Sequence, residues 1–365
     1  MSTKRRPNHS NPAKGRPARG DATKGDRPKG RSTGQQRAGS SRPARKPSGQ
    51  GLIASGFGFG QLGRLEVAPE PGSLYPQLLR RTDERPAQTV VRSVVGVLAA
   101  IALYVLVVTV VSQGLLLISW AITSSGSPFG TFVKQASAFE LPAGLLATNL
   151  GIACLIPISF AVLMIVHQRR ARWLGSVRPR LRWRYLFVSL GIAAVSLLFV
   201  FLLSTLVGPG LRFHPQQHFW WFLIIIVLTS PLQAAGEEYL FRGYLLQAFG
   251  SMVRTPWFGI VVSSLVFAAF HGLQNPPLFL DRFAFGLLAA ILVTKTGGIE
   301  AGIAAHVINN IYAWGLAGLT TSIAQAHALT KIGWLDAAFD VGGFALFAVL
   351  AYLAARLLKV ATRTS

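Results

Sequence analysis

The stretch Phe219–Gly243, FWWFLIIIVLTSPLQAAGEEYLFRG, decides how the rest of the chain is read. From Phe219 to Ala235 it carries no ionisable side chain, and Glu237, Glu238 and Arg242 then follow at once. Charge next to a membrane-length apolar run is costly and is usually kept for function, so these residues stand near a membrane boundary or inside a helix-lined cavity. Only seven acidic residues occur after Arg92, and two of them are this adjacent pair.

Working outward, similar apolar blocks recur. Half of the 365 residues are hydrophobic (51%) and 13% are charged, which indicates an all-α, polytopic membrane helix bundle in place of a soluble globule. Apolar runs predict about eight transmembrane helices. They lie near Val94–Ile122, Leu141–Val166, Tyr185–Val207, Phe219–Ala235, Trp257–Phe270, Phe283–Val293, Ile299–Gly318 and Phe339–Leu358. The sixth is short and the fifth ends at a histidine, so both are expected to be buried by protein neighbours.

The net charge of +23 is concentrated, with 19 of the 36 Lys and Arg residues in the first 92 positions. Residues 1–88 are therefore read as a disordered, basic cytoplasmic region and residues 89–365 as the membrane domain. The tail is expected to meet anionic lipid head groups; specific nucleic-acid binding is not expected. It lacks the pattern of a signal peptide. The loop between the second and third spans carries Arg169, Arg170, Arg172, Arg178, Arg180, Arg182 and Arg184, so it too is assigned to the cytoplasm. Eight spans then put both termini, Lys295 and the Glu237 region on that side of a cell membrane, and the carboxylates are expected to open toward it. The single Cys154 rules out an intrachain disulfide and a cysteine-rich zinc site.

Three polar groups fall on separate helices. Residues four apart share a helical face, so Glu238 can pair with Arg242 while Glu237, turned by about 100°, is left free to act as a general base. Phe267 and His271 lie one turn apart on the next span. His306 and Asn310 share a face of the seventh and can line an oxyanion hole. Gly298 and Gly302 have the spacing of a close helix contact. His167, His214, His218 and His327 receive no role. The chain has no His-Glu-x-x-His zinc motif, phosphate-binding glycine loop or Gly-x-Ser-x-Gly elbow.

The order Glu-Glu-x-x-x-Arg, Phe-x-x-x-His, His-x-x-x-Asn, each on its own apolar helix, resembles the CPBP family of CAAX prenyl proteases and bacteriocin-processing and immunity proteins. The resemblance covers roughly Ser230 to Trp314, within a catalytic core of about residues 219–318. It implies an intramembrane endopeptidase acting on a membrane-associated protein or peptide. Glu237 and His271 would hold and activate water, His306 and Asn310 would stabilise the oxyanion, and Glu238, Arg242 and Phe267 would support the site. The metal-free version is preferred because the Asn310 amide is a poor zinc ligand; the alternative is zinc held by Glu237, His271 and His306. Two further readings stay open, a non-catalytic peptide-binding or immunity-type membrane protein and a transporter.

Overall fold

A computed structural model describes residues 68–123, 126–208 and 210–365. The expectations for the basic tail up to residue 67 lie outside the described residues. Among the described residues the architecture is all-helical, with two isolated β-bridges and no strand.

The helices are α1 (Pro86–Thr123), α2 (Phe129–Ser137), α3 (Pro142–Ala153), α4 (Leu155–His167), α5 (Trp183–Thr205), α6 (Phe219–Glu238), α7 (Leu246–Met252), α8 (Pro256–Phe270), α9 (Pro276–Thr296), α10 (Glu300–Thr320), α11 (Ile323–His327) and α12 (Trp334–Leu357). Each of the eight expected spans is helical. Among the described residues six helical stretches are long and apolar enough to cross a membrane: Pro86–Thr123, Pro142–His167, Trp183–Thr205, Phe219–Met252, Pro276–Thr296 and Trp334–Leu357. Trp257–Phe270 is a shorter apolar helix. α10 is long enough but is not among the six, and it carries Glu300, His306, Asn309 and Asn310. The chain is a multi-pass membrane protein.

Three details differ from the sequence reading. The span expected as Leu141–Val166 is broken at Cys154, because Pro157 has no N–H to offer the carbonyl one turn back. α9 is not short: it runs 21 residues, since Asp281 and Arg282 continue the helix they were expected to precede, with Asp281 turned inward and buried. The run beginning at Phe219 does not stop at the charges. It passes through a π-helical turn, Tyr239–Leu245, into α7, making one helical stretch of 34 residues. At 1.5 Å per residue that is about 50 Å, against a hydrocarbon layer of about 30 Å. Glu237, Glu238 and Arg242 therefore lie inside the bundle, and π turns of this kind recur at functional sites.

Residues 68–85, placed by the sequence reading in the tail, pack into the bundle. Tyr75, Leu78 and Leu79 are buried, the Tyr75 hydroxyl donates to the Leu174 carbonyl, and the backbone of Gly72 and Ser73 pairs with Thr364.

The connections gather at two ends. At one, Ser176 bridges to Gly298, Arg182 donates to the Ala361 carbonyl and Leu74 bridges to Arg363. The basic loop, the α9–α10 turn and the C-terminal residues thus lie together. At the other, His214 and Gln216 donate to the Leu319 and Gly318 carbonyls, Asn275 binds Thr330 and Ile332, and Phe139 stacks on His327 at 3.9 Å.

Candidate active site

α6 lies against α3 on one side and α10 on the other. Gly236 allows the first contact, because a Cβ there would meet the Ile152 carbonyl at 2.7 Å. Gly302 allows the second, where a Cβ would come 2.5 Å from Oε2 of Glu238. The expected packing role of Gly302 is therefore specific: it admits a buried carboxylate, not a second backbone.

Glu238 and Arg242 form the expected ion pair at 2.8 Å, with Glu238 fully buried and Arg242 1% exposed. The guanidinium lies over the Phe267 ring at 4.0 Å and the Phe285 ring at 5.0 Å. These faces give the cation electrostatic support where water is excluded. The oxygen of Glu238 that meets Arg242 also takes a hydrogen bond from Nδ1 of His306, 2.9 Å away. An ionised carboxylate only accepts, so Nδ1 carries the proton and Nε2 is the ring atom left for other work. That nitrogen lies 3.4 Å from Oε2 of Glu237.

Glu237 points away from the pair, as its rotation on the helix requires. Gln233, one turn earlier, donates to its Oε1 at 2.7 Å. Oε2 is buried and has no hydrogen-bond partner in the protein. Because Gln233 must give an N–H to the carboxylate, its carbonyl oxygen faces outward and accepts from Nδ2 of Asn310 at 2.7 Å. Asn310 in turn accepts from Asn309 at 3.2 Å. The accepting carboxylate oxygen thereby fixes the sense of every amide in the row, and Asn310 keeps one N–H uncommitted.

Glu237, Phe267, His271, His306 and Asn310 all line one cavity of about 570 Å³, with Gln233, Asn149, Tyr104 and Arg282. Glu238 and Arg242 stand behind it. His271 sits just past the end of α8, its Nδ1 2.9 Å from the Phe267 carbonyl and its ring 4.5 Å from that of Phe267. With Nδ1–H donating to this carbonyl, Nε2 is left as an acceptor for water. Among the described residues no group of three His, Cys, Asp or Glu side chains is gathered closely enough to hold a metal ion, while Glu237, His271 and His306, the residues of the zinc alternative, line the same cavity.

The sequence reading missed Gln233, Asn149, Asn309 and His327. Gln233 was within reach, since it lies four residues before Glu237 on the same face. Asn149, in the largely apolar α3, donates to Thr229 and lies 3.3 Å from Ser230, pinning α3 to α6 beside the cavity. His327 belongs to a connection and reaches the cavity only through tertiary folding. Partial desolvation of its ring, which stacks on Phe139, holds the imidazole below the usual range although the residue as a whole is exposed. The loop-borne lining of the cavity, Phe139, His327 and Leu329, comes from the end opposite the basic loops.

Residues 216–312 match the model of the Rce1-like family, type II CAAX prenyl endopeptidase Rce1-like. All three motifs fall inside this segment. The chain is also similar to an uncharacterized protein, YyaK, of Bacillus subtilis (strain 168), at 27% identity over 169 residues. That match covers 43% of this chain and 56% of the relative, so the chain spans little more than half of it. No solved structure matches. The Rce1-like segment agrees with the CPBP resemblance read from the motifs.

Proposed function

We infer that this chain, with its Rce1-like segment, is an intramembrane endopeptidase in which Glu237 is the general base. The observation that carries the reading is the state of the Glu237 carboxylate. One oxygen is held by Gln233, and the other is buried, unbonded and within 3.4 Å of His306 in a cavity large enough for a peptide segment.

A water lying between Glu237 Oε2 and the open Nε2 of His271 gives its proton to Glu237 as its oxygen attacks the scissile carbonyl. Negative charge then develops on the carbonyl oxygen. Asn310 offers its uncommitted N–H there, with His306 beside it in the same cavity. Collapse of the tetrahedral intermediate breaks the C–N bond, and the proton held by Glu237 passes to the leaving amine. Nothing in this sequence is routed through a metal ion.

The experiment compares protein termini in membranes of cells carrying the wild type and cells carrying Glu237→Gln at matched expression. New termini made only by the wild type establish proteolysis and name substrates. Identical terminal profiles, with equal rescue of a deletion phenotype by both versions, establish the peptide-binding alternative in its place.

A further inference from the structure

The two ends of the bundle are built differently around the candidate site. Toward the basic loops the space beneath Glu237 is filled. Glu238, Arg242, Tyr244, Leu245, Leu246 and Gln247 follow it in the chain, each 1% exposed or less. The root of α10 is closed by Glu300, also fully buried, which Arg182 holds through both carboxylate oxygens at 2.7 and 2.6 Å. These buried side chains fill the layer between Glu237 and the basic loops.

Toward the other end the cavity continues past Asn310 to Trp314 and to the residues after α10. Its lining there includes His327, which is exposed, and Leu329, which is 49% exposed. The route to the catalytic carboxylate therefore runs from the end of the bundle that bears the 206–218, 271–275 and 321–333 connections.

Charge gives each end its side. The closed end carries Arg169, Arg170, Arg172, Arg178, Arg180 and Arg182 in the α4–α5 loop, with Arg184, Lys295, Lys359 and Arg363 close by. The open end carries Lys134, Glu140, Arg212, Lys331 and Asp336 in and beside its connections, nearly balanced in sign. Basic short loops remain on the cytoplasmic side during insertion.

We propose that the cavity admits its peptide from the extracytoplasmic side, so that the substrates are exported or outward-facing membrane-associated peptide segments and not cytoplasmic tails. This rests on the proteolytic reading above for the word substrate, while the sidedness stands on the fold and the charges. The walls at the entrance, Phe139, Trp314 and Leu329, suit an apolar segment entering from the outer leaflet.

The test uses the full chain with its one native cysteine, Cys154, changed to serine. Single cysteines are placed at the entrance (Leu329→Cys, and separately His327→Cys) and in the basic loop (Arg178→Cys). Intact cells are treated with a membrane-impermeant maleimide, then opened and treated again. Labelling of both entrance cysteines in intact cells, with Arg178→Cys labelled only after opening, supports the proposal; the reverse pattern overturns it. The terminal comparison supplies the second arm. Wild-type-dependent termini on outward-facing segments support the substrate class, and termini confined to cytoplasmic segments overturn it even where labelling is outward. Outward labelling without any new termini removes the proteolytic reading and supports an outward-facing binding cavity.

Discussion

Among the described residues two arginine–glutamate pairs have a fully buried carboxylate, and they are finished to different degrees. Arg182 and Glu300 are saturated: Glu300 accepts from the Arg182 backbone at 2.9 Å and from its side chain at 2.7 and 2.6 Å, and the remaining guanidinium nitrogen donates to the Thr296 and Ala361 carbonyls. Arg242 and Glu238 share one good contact, but Nη2 of Arg242, Oε2 of Glu238 and Oε2 of the neighbouring Glu237 have no hydrogen-bond partner in the protein. Leaving such groups unpaired in a dry interior is expensive, and only aromatic faces and His306 offset it here. The saturated pair stitches α5, α9, α10 and the C-terminal residues. The unsaturated one borders a cavity.

The largest expected effect separates the two regions. Glu237→Gln, which keeps shape and removes the base, should lower hydrolysis of a wild-type-dependent substrate by roughly a hundred- to ten-thousandfold while leaving protein level unchanged. A near-wild-type rate would end the distinction. Arg182→Ala should do the converse: breaking a buried pair from one side costs about 3–5 kcal/mol, read as a lower thermal midpoint of the solubilised protein and a fall in abundance. A stable Arg182→Ala protein would show that the saturated pair is dispensable.

Smaller effects sharpen the picture inside the site. Asn310→Ala removes one oxyanion donor and should reduce kcat about a hundred- to a thousandfold with KM little changed; an intact kcat would reassign the donor. Gln233→Leu frees Oε1 of Glu237 and unlocks the amide row. A hydrogen bond to a charged group is worth about 1.5–3 kcal/mol, so a drop in kcat of about tenfold or more is expected. That drop should shrink in an Asn310→Ala background, because the two residues act through one bond. Full additivity in the cycle would separate them. The smallest expected effect is that of a zinc chelator, which should leave the initial rate unchanged; loss of activity restored by added zinc would bring back the set Glu237, His271 and His306 as ligands.

Much of the bundle was legible because apolar length is a one-dimensional property: the eight stretches read from the chain are all helical. The failures have local causes. Pro157 breaks a span that composition shows as continuous, and Asp281–Arg282 reads as a boundary when the structure turns Asp281 inward. The Glu238–Arg242 pair was legible from the same-face rule. The bond from His306 to Glu238 was not, since it joins residues 68 positions apart on different helices.

The sequence by itself determined where the long apolar helices lie, the concentration of basic residues in particular loops, and the residue types available for catalysis, because hydropathy, charge and helical spacing are written locally. Only the tertiary structure decided which oxygen of which glutamate is held, that Gln233 ties Glu237 to Asn310, and which end of the bundle is filled. Those outcomes depend on contacts between helices far apart in the chain, where a hydrogen bond made or missed in a dry interior is set by three-dimensional approach and not by spacing along the sequence.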